Sequence, residues 1–358
     1  MEDNIYSKKI FLILLFFAII VLGILCKVLH AVVLPMLVAI LIAFVLKPVV
    51  QNLNKKFKIP WSVSSIIVIL LFLILIAGLS SILIKSLKTV VEKYPVYESK
   101  FLSMYSIFAD AFNLEYDNTQ SLFENLWSNL NVRSFVQETA VFLSSGIFTF
   151  GKSFFMFLIM LILFLTEMRL FNKKISFAYI GQSKTKMLRI SAKIIDQTVR
   201  FVSIKFYISL ITGLLVGIIT AVTGLSFPIL WGFLAFIMNF IPIFGSIFSV
   251  GLTSAFAFME FYPFVGKAVF LMIVMTAINT SLGNIIEPKI EGKHLGLSPF
   301  VILVSLTLFG WIWGFIGMLL AVPLTVIIRI CCENISYLHP VAIFLGGDPA
   351  ETKKNIEV

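Results

Sequence analysis

The longest stretch of this chain without a charged residue covers 54 residues, 206–259. About 20 apolar residues cross the hydrocarbon core of a bilayer as a helix, so this stretch alone predicts at least two crossings, with a turn near residues 223–228. Further charge-free runs cover residues 10–26, 28–46, 59–84, 153–166, 268–286 and 295–328. The sequence therefore predicts an all-α polytopic membrane protein with about eight transmembrane helices.

The composition agrees with a chain that faces lipid. Hydrophobic residues make up 59% of the sequence and charged residues 13%, and the mean hydropathy is +1.04. A typical soluble domain is about a quarter charged, so membrane lipids are the first partner that we expect. We assign the net charge of +10 to topology and to contact with anionic lipid headgroups, and we expect no nucleic-acid partner.

The distribution of charge predicts which loops lie in the cytoplasm. Residues 167–205 carry nine basic and two acidic side chains, whereas residues 85–138 carry five basic and seven acidic ones. Basic residues near span ends are retained in the cytoplasm, so both termini are expected there. The predicted order is three transmembrane helices (1–84), an extracytoplasmic helical segment (85–145), a fourth transmembrane helix (146–166), a basic amphipathic segment (167–205), a transport core (206–330) and a cytoplasmic tail (331–358).

Both extramembrane segments carry helical patterns. In the outer segment, an aromatic stripe predicts a packing face, and the capping-box spacing of Ser121 and Glu124 predicts a second helix. The stripe consists of Tyr97, Phe101, Tyr105, Phe108 and Phe112. In the cytoplasmic segment, apolar residues recur at steps of three and four over positions 188–206. Such a helix rests on the inner leaflet or pairs with a second copy of itself.

One span carries a polar stripe at helical spacing, which is the first candidate for a functional site. It consists of Thr276, Asn279, Thr280, Gly283, Asn284 and Glu287. Polar groups in lipid are costly unless they face partners or a wet cavity. The stripe therefore predicts a pathway for a hydrophilic solute or an ion. Small and amide residues also line ordinary helix contacts in membranes, so a packing role stays open.

Two apolar runs contain signals of irregular backbone. Pro242 removes a helix hydrogen bond and Gly245 loosens the next turn, so a broken helix is expected beside Asn239, with a plain kink as the alternative. The run 295–328 would be about 51 Å long as one helix, against a hydrocarbon core of about 30 Å. It must tilt, bend or form a re-entrant hairpin near Trp311 and Trp313. With a hairpin there, a cytoplasmic C-terminus requires three crossings in residues 206–259.

The inventory of reactive residues is thin. His30, His294 and His339 are scattered and match no metal-binding spacing. Cys26, Cys331 and Cys332 do not form a disulfide framework. Nothing in the sequence places a base beside a nucleophile. We therefore expect no metal, no cofactor and no enzymatic activity, ATPase activity included.

Three segments of the last third resemble a known family. They are residues 239–246 (NFIPIFGS), 284–299 (NIIEPKIEGKHLGLSP) and 310–323 (GWIWGFIGMLLAVP). The chain resembles the autoinducer-2 exporter family, also called PerM-like permeases. The resemblance implies a homo-oligomeric secondary transporter of the bacterial inner membrane. Members of the family are associated with export of the furanone autoinducer-2 or with sodium/proton antiport.

The resemblance also assigns positions within the family's motifs. It places Pro242 and Gly245 at the family's helix break. It further implies a shared loop and a terminal span, which hold Pro288, Lys289, Gly292, Gly317 and Pro323. As hinge or broken-helix positions we take Pro242, Gly245, Gly317 and Pro323.

The expected mechanism is gradient-driven export or exchange of a small polar solute against H⁺ or Na⁺. Glu287 is the expected charge-handling group, and Asn239, Thr276, Asn279, Thr280 and Asn284 are expected to offer polar atoms along the pathway. An alternative for Glu287 is a solvated ion pair with Lys289 or Lys293. An alternative for the whole protein is a membrane scaffold or sensor that binds partners through its extramembrane helices.

Overall fold

The computed structural model describes residues 23–93, 147–242, 244–291, 297–335 and 338–347, together with the isolated positions 17, 21, 96, 97 and 100. This part of the chain folds into helices: α1 (His30–Phe57), α2 (Trp61–Glu92), α3 (Ile147–Ala178), α4 (Gly181–Thr223), α5 (Pro228–Met238), α6 (Phe244–Phe261), α7 (Val265–Asn279), the π-helix π1 (Thr280–Ile286), α8 (Glu287–Glu291), α9 (Pro299–Asn334) and α10 (His339–Leu345).

Within the described residues, seven helices are long and apolar enough to cross a membrane. This finding confirms the all-α polytopic fold class. The predicted first helix (10–26) and the outer stripe and cap (101–124) lie largely outside the described residues. Helix α4 continues from the basic segment predicted to be cytoplasmic into the following apolar run without interruption and has 43 residues, about 64 Å at 1.5 Å per residue.

The chain divides into two compact units. Unit 1 consists of Met1–Ile66, Ser153–Ser203 and Glu291–Val358, and unit 2 consists of Ile67–Lys152 and Ile204–Ile290. Helix α9 belongs to unit 1, whereas α5, α6, α7 and π1 belong to unit 2.

In unit 2, α5 and α6 form an antiparallel hairpin. Helix α4 ends at Thr223 and α5 begins at Pro228, as the sequence predicts. The rings of Trp231 on α5 and Phe256 on α6 lie 5.0 Å apart, and the tip of the hairpin falls between Met238 and Phe244. Helix α5 has 11 residues, about 16 Å, which is too short to cross a hydrocarbon core of about 30 Å.

Unit 1 contains a second hairpin, formed by α9 alone. Trp313 and Gly314 leave helical geometry, Gly314 with φ 63° and ψ −144°. The hydroxyl of Thr325 donates to that of Ser305 at 2.9 Å, although a straight helix would separate these residues by about 30 Å. The 36-residue helix is therefore folded back on itself, which settles the choice between tilt, bend and hairpin.

The tip of the α9 hairpin contacts the residues just before α1. The indole nitrogen of Trp313 donates to the carbonyl of Cys26 at 3.0 Å. The ammonium group of Lys27 lies 3.7 Å from the centre of the Trp311 ring, a cation–π contact. Both tryptophans that mark the bend in the sequence therefore hold the hairpin tip in place.

In the sequence, a hairpin in residues 295–328 made a cytoplasmic C-terminus conditional on three crossings in residues 206–259. This stretch contains the end of α4 and the α5–α6 hairpin. Both ends of the hairpin meet, because the Glu260 carboxylate accepts hydrogen bonds from Ser226. A hairpin that returns to its starting side adds no net crossing. One crossing plus this return gives the same parity as three crossings.

Candidate functional site

The most deeply buried charged contact in unit 2 joins α4 to the start of α8. The ammonium group of Lys205 donates to a carboxylate oxygen of Glu287 at 2.6 Å. The two side chains are only 7% and 13% exposed. Glu287 therefore pairs with a lysine on another helix, 82 residues away. Of the two loop lysines in the alternative, Lys293 lies outside the described residues. The role of Lys205 was missed from the sequence.

A second polar contact lies one helical turn along α4. Ser209 follows Lys205 by four residues, so both side chains share a face of the helix. The amide of Asn239 donates to the Ser209 hydroxyl at 2.9 Å, and both residues are buried. Asn239 lies at the tip of the α5–α6 hairpin. One face of α4 therefore brings two predicted site residues, Asn239 and Glu287, to adjacent positions.

The predicted stripe divides into two rows of residues with a spacing of four. Asn279 is buried, Gly283 is half-buried and Glu287 is nearly buried. Thr276, Thr280 and Asn284 are exposed. The side chains of Asn279 and Thr276 donate to carbonyls of their own helix, at 2.9 and 2.8 Å.

A π-helix lies in the middle of the stripe. π1 covers Thr280–Ile286 and continues directly into α8, which begins at Glu287. A π-helix hydrogen-bonds with a longer step than an α-helix and is frequent at functional sites. The wider turn changes the angle between successive residues over Thr280–Ile286, so α-helical spacing describes only the first part of the stripe.

The helix break after Asn239 has defined backbone bonds. The Ile241 amide donates to the Met238 carbonyl at 2.9 Å and the Phe244 amide donates to the Pro242 carbonyl at 2.7 Å. Gly245 is packed so closely that a β-carbon there would overlap the Met238 carbonyl. The two hinge positions predicted in α9, Gly317 and Pro323, are both buried. The hinge role of these residues stays a prediction.

The opposite end of unit 2 holds a second carboxylate. Glu260 accepts from the Ser226 hydroxyl at 2.5 Å and from the Ser226 amide at 3.1 Å. Lys100 donates to the Glu260 backbone carbonyl at 3.3 Å, and the Tyr97 ring lies 5.1 Å from that of Phe256. Burial raises the pKa of the Tyr97 phenol, a Ser226 hydrogen bond opposes this, and the Glu260 charge raises it further. The phenol therefore stays neutral at physiological pH.

Unit 1 contains buried polar side chains that the sequence did not single out. Arg329 donates to Glu333 at 2.8 Å, and the two side chains are 2% and 5% exposed. Asn334 donates to the amide oxygen of Gln197 at 3.1 Å. Both α9 contacts lie beyond the last charge-free run, where polar residues look like the start of a solvated tail. For Arg329 and Glu333 the signal was the spacing of four between opposite charges, whereas nothing local indicates the contact of Asn334 with Gln197.

One P-loop pattern occurs in the sequence and bears on the expectation of no ATPase activity. Residues 146–153 read GIFTFGKS, which has the GxxxxGK[ST] spacing. A P-loop is a glycine-rich loop between a strand and a helix. Here positions 147–153 belong to α3, so their backbone is helical and not a phosphate-cradling loop. In the described part of the chain, His, Cys, Asp and Glu side chains form no cluster that could hold a metal ion.

Comparison with known proteins identifies the family. The model of the AI-2E family transporters matches residues 10–336, nearly the whole chain. The chain belongs to the AI-2E transporter family. Its resemblance to autoinducer-2 exporters, inferred from three short segments, is thereby confirmed.

The relatives of this AI-2E family member are named as transport proteins. A candidate transport protein of Borreliella burgdorferi is 28% identical over 321 residues, which cover 90% of this chain and 86% of the relative. One from Haemophilus influenzae is 27% identical over 361 residues, covering 97% and 98%. The AI-2 transport protein TqsA of Escherichia coli is 37% identical over 154 residues, covering 42% and 44%. Family and relatives support a transport function for a multi-pass membrane protein.

Proposed function

We propose that this AI-2E family member is a secondary transporter that moves a small polar solute across the bacterial inner membrane, driven by an H⁺ or Na⁺ gradient. The observation that carries the proposal is the buried pair of Lys205 and Glu287. Ionisable residues within membrane spans are expensive, and they mark ion and substrate pathways. The name of TqsA makes autoinducer-2 the first solute to test, and both export and exchange are open to that test.

In the proposed cycle, Glu287 is the charge-handling group and Lys205 is its counter-charge. A proton or a sodium ion that binds the carboxylate replaces Lys205 as its partner. Removal of one partner from a buried pair leaves a charge uncompensated, at a cost of about 3–5 kcal/mol. That cost favours a rearrangement around Lys205. The same α4 face carries Ser209, so the rearrangement would reach Asn239 and the hairpin tip.

The remaining predicted residues keep their roles as part of this proposal. Asn279 lies on the buried row of the stripe, together with Gly283 and Glu287, and supports a pathway along that row. Thr276, Thr280 and Asn284 are exposed on the surface of unit 2, which supports a helix contact at least as well as a pathway. The proposed hinge is the break around Pro242 and Gly245. We further propose a homo-oligomer with both termini in the cytoplasm.

The test is flux through purified protein in liposomes with imposed H⁺ and Na⁺ gradients and autoinducer-2 as the first solute. Glu287→Gln is expected to abolish gradient-driven flux, because an amide cannot exchange a proton or neutralise Lys205. Lys289→Gln is the matched control, since Lys289 lies two residues further along and is exposed. An unchanged dependence of flux on pH and Na⁺ in Glu287→Gln would remove Glu287 from the mechanism. Absence of flux in the wild type would favour the scaffold alternative.

A further inference from the structure

Three buried hydroxyl groups on α6 lack the local hydrogen bond that two buried threonines on α4 make. Thr212 and Thr220 on α4 donate to the carbonyl four residues earlier, at 2.9 and 2.8 Å. This back-bonding is the usual arrangement for Ser and Thr inside a helix. The buried hydroxyls of Ser249, Thr253 and Ser254 have no hydrogen-bond partner among the described residues.

These hydroxyls share one region of a closely packed helix. Gly245, Ser249, Thr253 and Ala257 are buried and recur every four residues, so they line one face of α6. Helix α6 packs against both α5 and α7. Unpaired hydroxyls at such a contact cost free energy that alanine and valine would avoid. Thr198 and Ser203 on α4 are unpaired in the same way, but α6 carries three such hydroxyls close together. Three of them on one helix, without a partner among the described residues, favour a ligand that hydrogen-bonds to them.

The surroundings decide which kind of partner fits. Residues 206–259 contain no Asp, Glu, Lys or Arg, so the whole of α5 and nearly all of α6 are uncharged. The flanking charges have partners: Lys205 pairs with Glu287, and Glu260 with Ser226. A charged ligand at membrane depth needs a counter-charge, which this region does not offer. Apolar walls with a few convergent polar groups are typical of sites for neutral ligands.

We propose that the hydroxyl face of α6, formed by Ser249, Thr253 and Ser254, binds an uncharged hydrogen-bonding molecule on its way through unit 2. Hydroxyl groups both donate and accept, so this face fits a small solute with hydroxyl or carbonyl groups. Ala257, one turn beyond Thr253 on the same face, belongs to an apolar cluster with Trp231 of α5 and Leu271 and Met275 of α7. The inference deepens the proposed function, because it separates recognition of the neutral solute on α6 from charge handling at Glu287.

Cysteine labelling tests the proposal without any gradient. In a chain with Cys26, Cys331 and Cys332 replaced by serine, Ser249→Cys, Thr253→Cys and Ser254→Cys are each treated with two thiol reagents. One is the neutral 2-hydroxyethyl methanethiosulfonate and the other its cationic trimethylammonium-ethyl analogue. The matched controls are Thr212→Cys and Thr220→Cys, which are equally buried but replace bonded hydroxyls.

We expect the neutral reagent to modify the α6 cysteines at least about tenfold faster than the controls, which react only after local opening of the packing. The cationic reagent should modify all five slowly. Equal rates for α6 and control positions would overturn the proposal, and equal rates for the two reagents would overturn its neutral character. Because labelling needs no transport, its outcome is independent of whether Glu287→Gln loses flux.

A stability measurement covers the case in which a cysteine variant does not fold. Ser249→Ala, Thr253→Val and Ser254→Ala remove unpaired hydroxyls, so the melting temperature of the purified protein should stay the same or rise. Thr212→Val and Thr220→Val remove bonded hydroxyls and should leave it unchanged or lower it. If the α6 variants lower the melting temperature as much as the controls do, the hydroxyls have internal partners and the proposed site does not exist.

Discussion

Lys205 and Glu287 stabilise each other's charge, because both side chains are largely shielded from water. Burial of a charge is expensive, and the mutual attraction of a close pair offsets that expense only while both partners are present. The Lys205 Nζ and Glu287 Oε1 atoms are 2.6 Å apart, and both side chains are nearly buried. The pair therefore contributes to folding as well as to the proposed charge handling, and the two contributions can be measured separately.

Lys205→Met is expected to lower the free energy of unfolding by about 3–5 kcal/mol, because the Glu287 carboxylate stays buried without a partner. The double variant Lys205→Met/Glu287→Met should recover most of that loss while remaining inactive in flux. Lys289→Met serves as the control, because Lys289 is exposed and lies two residues after Glu287. The measurement is chemical denaturation of the purified protein in detergent. If the double variant is as unstable as Lys205→Met, the pair is not what stabilises this end of unit 2.

At the scale of single residues, the sequence predicted Glu287 but not its partner. Glu287 stands out because a carboxylate at the end of an apolar run is chemically unusual. Lys205 belongs to a segment with nine basic residues, and nothing local distinguishes it from the other eight. Only the fold places α4 beside α8, across 82 residues of chain. Interactions of that range are set by packing, which a periodic pattern does not encode.

At the scale of helices, the sequence predicted where the backbone breaks better than it predicted which face of a helix is buried. Proline and glycine act on their own neighbourhood, so the interruption beside Asn239 and the bend at Trp313 and Gly314 could be inferred from local chemistry. The burial of the polar stripe could not, because the pattern does not say which of its two rows faces the protein, and π1 changes the turn angle over Thr280–Ile286. No residue type in Thr280–Ile286 signals a π-helix by itself.

The tip of the α5–α6 hairpin has a strict steric requirement. A β-carbon at Gly245 would overlap the Met238 backbone carbonyl, and neither backbone can move without opening the tip. Gly245→Ala should therefore destabilise the protein by about 1–3 kcal/mol or more, as overpacking does. On the same helix, a β-carbon at Gly251 meets nothing within 4 Å, so Gly251→Ala is the control. Equal melting temperatures for the two variants would contradict the close packing of the tip.

At the scale of the whole molecule, hydropathy measures how much chain is apolar but not how often it crosses. Residues 206–259 look like two or three spans, yet they contain the end of α4 and one hairpin. The run 295–328 looks like one long span, yet α9 folds back on itself. A hairpin leaves the chain on the side where it began, so these two hairpins do not change the orientation that charge predicts. Charge distribution, which ignores the number of crossings, is therefore the better guide to orientation.

The orientation that charge predicts can be tested along α2. This helix separates Lys58 from Lys93, and both residues are exposed. Segment 167–205, with nine basic and two acidic residues, should share the side of Lys58. With Cys26, Cys331 and Cys332 replaced by serine, intact cells are treated with a membrane-impermeant sulfonated thiol reagent. Lys93→Cys should be labelled at once, whereas Lys58→Cys and Lys186→Cys should be labelled only after lysis. Labelling of Lys58→Cys in intact cells would reverse the proposed topology, and with it the side from which each hairpin enters the membrane.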